Sequence, residues 1–411
     1  MTIPPAVQRE AGPGGAPISR IDIDLDALGR NARTLGAMAA PAALSAAVKK
    51  DGYGLGAVPI AHRLVKSGAR MLCVYTPDEA ERLVAGAIQA PILILMPVWE
   101  LSRTDALYRA AVAGRLHLTI HEKDQFEAVA KLGRTFGMRM PVQLYLDTGM
   151  SRGGLSPAQF AAVLRSAADR QYVQVSGVYT HFASADSDPE QTRQQFDRLQ
   201  AVLEEHAEAM PSDAIVHASA TTGVLRSAGY GLDMVRCGIG LLGFGPERME
   251  ADAADPPIAP PEALEHVVRW LSRVVHVQRY PRRTPIGYNA MHKLRRDSVV
   301  GVVPIGYGDG YPVALSNKGQ VYVTPRDGRP GGFCKVLGKV NMDQLTIDLT
   351  DLVGGDGASS LGTLRESEVE VYGDRPGEAN SLPEVAALAK TSCYELLCRL
   401  NPTTARRFLH A

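Results

Sequence analysis

Short apolar runs alternate with amphipathic stretches from about Ile21 to Gly243. Most of the runs are continuous, which is typical of strands buried on both faces of a parallel sheet. The stretches between them begin with helix-start signals such as Thr76-Pro77-Asp78-Glu79 and Ser156-Pro157-Ala158-Gln159. This pattern predicts an α/β fold with a (β/α)8 TIM-type barrel, and a doubly wound open sheet is the alternative. The predicted strands are Leu44–Lys49, Met71–Tyr75, Ile92–Met96, Leu116–Ile120, Val142–Asp147, Val175–His181, Ile215–Ser219 and Val235–Leu242.

The pattern changes after the last of these runs. Arg248–Ala263 is rich in Pro, Ala and Asp and is interpreted as a linker. Beyond it, apolar segments predict strands with little helix before Leu382, at Val274–Tyr280, Val299–Ile305, Gln320–Thr324, Lys335–Leu349 and Glu368–Tyr372. We therefore expect a flexible leader at residues 1–19, a barrel domain at residues 20–257 and a mostly-β C-terminal domain at residues 258–411.

Composition excludes several classes of function. Lys plus Arg and Asp plus Glu each total 44, so the chain has no basic excess for nucleic acid or anionic lipid. No apolar run approaches the roughly 18 residues of a membrane span. The five cysteines are scattered without a C-x-x-C pair, and the N-terminus has no signal-peptide apolar core, so we expect a cytoplasmic protein. No His or Cys cluster has metal-ligand spacing, and no metal is expected.

Four predicted strand ends carry residues that can do chemistry. Lys49 ends the first run and is followed by Gly52, Gly54 and Gly56. In a barrel this edge holds active sites, and a lysine there can form a Schiff base with a carbonyl cofactor if its amine loses its proton. An isolated strand-end lysine, however, is usually a solvated surface residue. The other three strand ends are Leu146–Gly154 with Arg152, Val178–Ala183 with His181, and Met234–Gly240 with Arg236.

Taken in order from residue 47 to residue 395, these segments and four C-terminal ones resemble the signature of the alanine racemase family, fold-type III enzymes that depend on pyridoxal phosphate. The resemblance covers nearly the whole chain after the leader. Its elements are Val48-Lys49 before Tyr53-Gly54, Asp147-Thr148-Gly149-Met150 before Arg152, Tyr179-Thr180-His181-Phe182, Arg236 before Gly238-Ile239, Gly287-Tyr288, Ile305–Gly310, Asn341–Gln344 and Tyr394-Glu395.

The resemblance implies a role for each matched residue toward pyridoxal 5′-phosphate. Lys49 would carry the cofactor as a Schiff base, and Arg152 would bind its phenolic oxygen and lie near the substrate carboxylate. Arg236 would face the pyridine nitrogen, supported by His181. The cofactor phosphate would be held by Ser219, the N–H groups of Gly238 and Ile239, Tyr53 and Tyr394.

The resemblance also implies an isomerase that interconverts L-alanine and D-alanine with two bases, Lys49 and Tyr288. Racemisation removes the α-proton from one face and returns it on the other, which one base cannot easily do. Tyr288 would reach across from a partner subunit of a homodimer, and Tyr307, Met342 and Asp343 would contact the amino acid. A tyrosine with the ordinary pKa of about 10 is a poor base at neutral pH, so a cationic environment is required.

Two positions depart from the family pattern. Tyr145 stands where many members have a lysine, carboxylated by CO2, that steadies the arginine; we hypothesise that the Tyr145 hydroxyl or a bound chloride positions Arg152 here. Asn341 stands where a cysteine is common. Alternatives are a racemase of serine or of broad specificity, since an added methylene changes binding by only about 1–3 kcal/mol. A D-amino-acid aldolase, dehydratase or decarboxylase and a non-catalytic pyridoxal-phosphate-binding protein are further alternatives. The alanine assignment allows supply of D-alanine for peptidoglycan or degradation of L-alanine.

Overall fold

The computed structural model describes residues 17–168, 171–246, 264–353 and 359–411. The chain forms two compact units. The first, here the barrel unit, comprises residues 27–52 and 57–265, and the second, here the C-terminal unit, comprises residues up to Asp26, residues 53–56 and residues 266–411.

The barrel unit contains a closed barrel of eight parallel strands, in which the last strand pairs with the first. The predicted fold class, a (β/α)8 barrel followed by a mostly-β domain, is confirmed, and the open-sheet alternative is wrong. The strands are β2 (Ala43–Ala47), β3 (Met71–Val74), β4 (Ile92–Ile94), β5 (Leu116–Ile120), β6 (Met140–Tyr145), β7 (Val173–Tyr179), β8 (Ile215–Ala220) and β9 (Met234–Cys237). The helices in this part of the chain are α1 (Leu25–Ala39), α2 (Lys49–Gly54), α3 (Ala57–Lys66), α4 (Pro77–Ala85), α5 (Ala106–Val112), α6 (Lys123–Phe136), α7 (Pro157–Ala168), α8 (Pro189–Glu205) and α9 (Thr221–Arg226).

The apolar runs form strands because helices cover the outside of the barrel and side chains fill its inside. Met71, Cys73, Leu93, Tyr145, Tyr179 and Met234 pack together as one buried cluster. Helix α4 begins with the predicted capping box, in which Thr76 and Glu79 exchange hydrogen bonds. The predicted run Val235–Leu242 ends its strand at Cys237 and continues as the short 3-10 helix Ile239–Leu242.

The C-terminal unit is built mainly of strands. The strands are β1 (Arg20–Asp24), β10 (Val268–Arg273), β11 (His276–Tyr280), β12 (Pro285–Ile286), β13 (His292–Lys293), β14 (Ser298–Val303), β15 (Gln320–Thr324), β16 (Gly332–Lys335), β17 (Leu345–Asp348), β18 (Glu368–Tyr372) and β19 (Ala405–Leu409). They form a mixed six-stranded sheet in the order β16-β15-β18-β10-β1-β19, a three-stranded sheet β11-β14-β17 and the two-stranded hairpin β12-β13. The helices are α10 (Ser359–Leu364), α11 (Leu382–Ala389) and α12 (Cys393–Cys398).

The sequence predicts that the barrel domain begins at residue 20, which is where strand β1 starts. Strand β1 pairs with β10 on one side and β19 on the other, so it belongs to the C-terminal unit. Both partners lie more than two hundred residues away, and local pattern cannot reveal such pairing. Of the predicted leader only residues 17–19 are described, and the predicted linker Arg248–Ala263, with the boundary at residue 257, lies outside the described residues. Within the described ranges, no helix has the length and apolar content to cross a membrane.

Candidate active site

The carboxyl ends of the barrel strands carry five of the residues predicted for a cofactor site. Lys49 follows β2, Arg152 lies in the loop after β6, His181 follows β7, Ser219 is in β8 and Arg236 is in β9. Parallel strands present these ends at one face of the barrel. Burial, followed by the charges of Arg236, Arg152 and Lys49, lowers the pKa of His181 to about 3. The imidazole of His181 is therefore neutral, and the positive charges of Arg236, Arg152 and Lys49 all act on it.

Arg236 is buried inside the barrel and is surrounded by neutral acceptors. Its guanidinium carbon lies 4.8 Å from the centre of the Tyr179 ring. In the described residues it forms no ion pair with a carboxylate. Burial lowers the pKa of Arg236, but arginine stays protonated in proteins and can only donate. Nη1 donates to His217 Nδ1 (2.6 Å), and Nη2 donates to Thr180 O (2.7 Å), Ala218 O (3.1 Å) and His181 Nδ1 (3.3 Å).

His217 links Arg236 to a second buried side chain. Its Nδ1 accepts from Arg236, so its proton must lie on Nε2, which donates to Gln143 Oε1 at 2.8 Å. The Gln143 amide then donates to Met71 Sδ at 3.6 Å. Burial and the charge of Arg236 hold the pKa of His217 well below its ordinary value. The sequence alone assigns no role to His217 or Gln143, because a polar residue within a buried strand carries no local signal of its partner.

The loops after β6 and β7 are joined by a buried glutamine from α8. Gln195 Oε1 accepts from the Ala183 N–H at 2.8 Å, and its amide donates to His181 O at 3.2 Å. The same amide approaches Thr148 Oγ1 at 3.4 Å, and Thr148 is bonded to Thr180 at 2.7 Å. Gln195 therefore connects the loop that carries Arg152 with the loop that carries His181. The sequence gives no signal for Gln195, because an apolar periodicity does not mark a polar side chain that is buried.

Lys49 is half-buried and begins an unusual turn. Residues 50–54 of α2 all have positive φ, from +54° to +82°, so this turn is left-handed. Each non-glycine residue in that conformation costs about 1–2 kcal/mol. Two contacts hold the turn: the Ala57 N–H donates to Asp51 Oδ1 at 2.9 Å, and the Lys50 N–H donates to Glu79 Oε1 at 2.8 Å. The sequence indicated a sharp glycine turn here, but not that Lys50, Asp51 and Tyr53 would adopt the same conformation.

Two of the residues predicted to hold a phosphate, Ser219 and Gly238, are hydrogen-bonded to protein atoms. The Ser219 hydroxyl donates to Tyr230 O at 2.8 Å. Thr221 Oγ1 accepts from the N–H groups of Gly238 and Gly240, each at 3.2 Å. Ile239 is the first residue of a 3-10 helix, so the helix itself offers its N–H no acceptor. Their predicted role as phosphate donors stays a prediction.

The loop that carries Arg152 is ordered by one carboxylate. Asp147 Oδ1 accepts from the N–H groups of Gly149, Met150 and Ser151. Arg152 itself is exposed and forms no hydrogen bond with the described residues. The Tyr145 hydroxyl is buried and has no hydrogen-bond partner either. The Tyr145 hydroxyl therefore does not hold Arg152 in this structure.

In the C-terminal unit, the predicted second base lies on an exposed turn. The Tyr288 side chain is 66% exposed and belongs to the short 3-10 turn Tyr288–Ala290, between β12 and β13. Gly287, Asn289 and Ala290 all have positive φ. Met291, at the end of the turn, is also exposed.

The residues predicted to contact substrate lie on two adjoining loops of this unit. The Tyr307 N–H donates to Asn341 O, and the Gly308 N–H donates to Met342 O, both at 2.9 Å. The Tyr307 and Met342 side chains are exposed, as is Asp343. These loops place predicted substrate residues side by side.

Tyr53 and Tyr394, predicted to bind phosphate, are neighbours in the C-terminal unit. Tyr53 is buried and Tyr394 is exposed, with ring centres 6.1 Å apart. Arg406 holds this segment by donating from Nη2 to Gly54 O at 2.7 Å. The contact joins residues 352 positions apart, so no local sequence signal predicted it.

The barrel residues fit an anionic cofactor that is bound through an amine. Lys49, Arg152 and Arg236 supply positive charge at one face, and the imidazoles beside Arg236 are neutral. Such a set suits phosphate and phenolate oxygens, as in pyridoxal phosphate. In the described ranges, no three His, Cys, Asp or Glu side chains come together as metal ligands.

A barrel with a lysine at its carboxyl edge, followed by a mostly-β unit, is the architecture of the fold-type III enzymes. The family model for the alanine racemase N-terminal domain matches residues 23–246, and that for the alanine racemase C-terminal domain matches residues 267–408. The chain belongs to the alanine racemase family, which confirms the resemblance found in the sequence.

Individual relatives agree with the family models. The chain is 33% identical over 386 residues to an alanine racemase of Symbiobacterium thermophilum, covering 94% of this chain and 95% of that one. It is 30% identical over 394 residues to alanine racemase 1 of Oceanobacillus iheyensis, covering 95% and 97%. Among solved structures, the alanine racemase of D-cycloserine-producing Streptomyces lavendulae has a TM-score of 0.81, 28% identity and coverage of 96% and 97%. That of Bartonella henselae, with covalently bound pyridoxal phosphate, has a TM-score of 0.78, 26% identity and coverage of 96% and 100%.

Proposed function

We propose that the protein interconverts L-alanine and D-alanine with pyridoxal 5′-phosphate as its cofactor. The observation that carries the proposal is the placement of Lys49, Arg152, His181 and Arg236 at the carboxyl ends of the barrel strands, where Arg236 donates only to carbonyl oxygens and neutral imidazoles. Membership of the alanine racemase family supports the substrate, and the relative from Bartonella henselae, which has pyridoxal phosphate covalently bound, supports the cofactor.

When bound, pyridoxal phosphate withdraws electrons from the α-carbon of an attached amino acid and so acidifies its α-proton. Lys49 would provide the amine that attaches the cofactor, and Arg152 would bind its phenolic oxygen. Ser219, Gly238 and Ile239, with Tyr53 and Tyr394, would hold its phosphate.

Arg236 would direct the chemistry toward racemisation. A carboxylate beside the pyridine nitrogen would keep that nitrogen protonated and strongly electron-withdrawing. Arg236 can only donate, and its own acceptors are backbone carbonyls and neutral imidazoles. Arg236 would therefore hold the pyridine nitrogen in its unprotonated form, which favours racemisation over transamination.

Two proton carriers are needed, and we assign them to Lys49 and Tyr288. Each would remove the α-proton from one face and return it from that face in the reverse reaction. Arg152 and the loops of Tyr307, Met342 and Asp343 would bind the amino acid. The exposed positions of Tyr288 and of Met291 on the same turn support a homodimer in which Tyr288 serves the site of the other subunit.

We also place the enzyme in the cytoplasm. Cys73, Cys237 and Cys334 are buried thiols that form no disulfide, as suits a reducing compartment.

The first test is spectroscopic. Protein loaded with pyridoxal phosphate is expected to absorb near about 420 nm, and Lys49→Ala is expected to lose this band and the racemisation of alanine. A panel of L- and D-amino acids that includes serine then decides the substrate. Equal turnover of serine and alanine would refute alanine specificity, and unchanged turnover by Lys49→Ala would refute the proposal as a whole.

The second test uses subunit complementation. Lys49→Ala and Tyr288→Phe are each expected to be inactive alone. When equal amounts are unfolded and refolded together, about half the dimers are mixed, and each mixed dimer holds one complete site, so about a quarter of the parental rate returns. If Tyr288 served its own chain, the mixture would stay inactive. Full activity of Tyr288→Phe in both directions would remove Tyr288 from the mechanism.

A further inference from the structure

The turn that carries Tyr288 is weakly held by its own backbone. Strands β12 and β13 pair over only two residue pairs, and the turn between them has hydrogen bonds of 3.3 Å and 3.4 Å, from the Ala290 N–H to Gly287 O and from the Met291 N–H to Tyr288 O. Both are longer than ordinary amide hydrogen bonds. A catalytic side chain on such a turn needs an anchor from elsewhere.

Asn317 supplies that anchor. Its Nδ2 donates to Met291 O at 3.1 Å, its Oδ1 accepts from the Gly338 N–H at 2.6 Å, and its own N–H donates to Gly338 O at 3.1 Å. In the part of the chain that the structure describes, no other side chain hydrogen-bonds to residues 287–291. Asn317 has φ +60°, a conformation that asparagine tolerates better than most residues.

The segment that Asn317 binds at Gly338 leads to the two loops that carry Tyr307 and Met342, the residues predicted to contact substrate. Gly338 lies against the hairpin, since a Cβ placed on it would be 2.9 Å from Ile286 O. The chain then runs to Asn341 and Met342, which pair with the loop of Tyr307. One amide side chain thus ties the Tyr288 turn to the loops expected to bind the amino acid.

We propose that Asn317 is a positioning residue for the proton transfer at Tyr288: its amide fixes the Tyr288 turn against the segment that begins at Gly338. The inference deepens the proposed racemase function and rests on it. Its physical basis is that a reacting group displaced by about 1 Å can lose roughly 10²-fold in rate. The Met291 carbonyl that Asn317 binds is only three residues from the phenol.

Two variants separate the contacts. Asn317→Asp keeps an acceptor for the Gly338 N–H but removes the donor to Met291 O, while Asn317→Gly keeps the left-handed backbone and removes both side-chain bonds. Lys318→Ala is the matched control, because the Lys318 side chain is exposed and has no hydrogen bond or ion pair with the described residues.

The experiment measures kcat/KM of the cofactor-loaded enzyme with α-protiated and α-deuterated L- and D-alanine, together with cofactor absorbance and Tm. Both Asn317 variants are expected to lose roughly 10-fold to 10²-fold in kcat/KM, with Asn317→Gly at least as affected as Asn317→Asp. The substrate deuterium isotope effect on kcat/KM is expected to rise for the direction of racemisation in which Tyr288 removes the α-proton. It is expected to rise less for the opposite direction. Absorbance and Tm should match those of Lys318→Ala.

Wild-type rates and isotope effects in both Asn317 variants would overturn the inference. A rate loss with unchanged isotope effects in both directions would also overturn it, because that result is a general loss of working enzyme. Full racemisation by Tyr288→Phe would instead refute the two-base function on which the inference rests. Loss of activity in Tyr288→Phe with normal behaviour of the Asn317 variants would refute the role of Asn317 alone.

Discussion

Burial of a neutral imidazole at position 217 makes the stability of the barrel unit depend on pH. The His217 side chain is 0% exposed, and burial together with the charge of Arg236 keeps its pKa well below 6.5. In the unfolded chain the same ring titrates near its ordinary value. Between pH 7 and pH 5 the unfolded chain therefore binds a proton at this position that the folded chain does not. Lowering the pH across this window favours unfolding.

The size of the effect follows from this difference in proton binding. The free energy of unfolding falls by up to about 1.4 kcal/mol per pH unit for each such group. Between pH 7 and pH 5, one such histidine with a pKa of about 6.5 in the unfolded chain lowers the free energy of unfolding by about 2 kcal/mol in total. His181, whose pKa is lowered to about 3, and His117, whose pKa is lowered to about 4 by burial, act with the same sign.

The assay is urea unfolding at pH 7, 6 and 5 for the parent, His217→Asn and Gln143→Leu. His217→Asn removes the titrating ring, so its loss of stability between pH 7 and pH 5 should be about 2 kcal/mol smaller than in the parent. Gln143→Leu removes the acceptor of the His217 Nε2–H and should cost about 1–3 kcal/mol at every pH, with the parental slope. His217→Asn is expected to change how steeply the free energy of unfolding depends on pH. Gln143→Leu is expected to lower the free energy of unfolding by the same amount at every pH.

An unchanged pH slope in His217→Asn would refute the reasoning, because the unfolded chain would then not gain its proton at this position. A flattened slope in Gln143→Leu would show that the bond to Gln143, rather than burial, keeps the imidazole neutral.

Three further predictions concern packing. Gly306→Ala would place a methyl group 2.2 Å from two backbone oxygens and should lower stability by at least about 1–3 kcal/mol, seen in thermal unfolding; an unchanged Tm would contradict it. Gln195→Leu leaves the part-buried Ala183 N–H without its acceptor and should cost about 0.5–1.5 kcal/mol in urea unfolding; parental stability would show that the N–H finds another acceptor. Gly54→Ala would place a Cβ 2.7 Å from Leu397 O on a residue with φ +82°. It should lower both the Tm and the fraction of cofactor that is retained through dialysis. Unchanged retention of cofactor would show that this turn does not contribute to the cofactor site.

The barrel could be predicted from the sequence because its information is local. A strand covered on both faces needs a continuous apolar run, and runs such as Met71–Val74 are buried at every position. The C-terminal unit was predicted only in outline. Strands β12 and β13 are two residues long, too short for any periodicity, and β1 is defined by pairing with distant strands.

The same contrast between local signals and distant contacts applies to the candidate site. Lys49, Arg152 and His181 could be named because their segments resemble the alanine racemase signature, and the barrel brings the strand ends that carry them to one face. Their supporting contacts could not be named. Gln195, Gln143 and the other partners are chosen by side-chain direction and strand register, which local pattern leaves open.

The neutral surroundings of Arg236 have a consequence for an anionic cofactor. If a carboxylate paired with Arg236, it would cancel the positive charge at the carboxyl face. Carbonyl oxygens and neutral imidazoles accept its hydrogen bonds without adding negative charge. The same cation, with burial, lowers the pKa of His181 and His217, so the imidazoles stay neutral acceptors. The arginine and its two histidines thus stabilise one protonation state, in which Arg236 keeps an unneutralised positive charge and both imidazoles stay neutral.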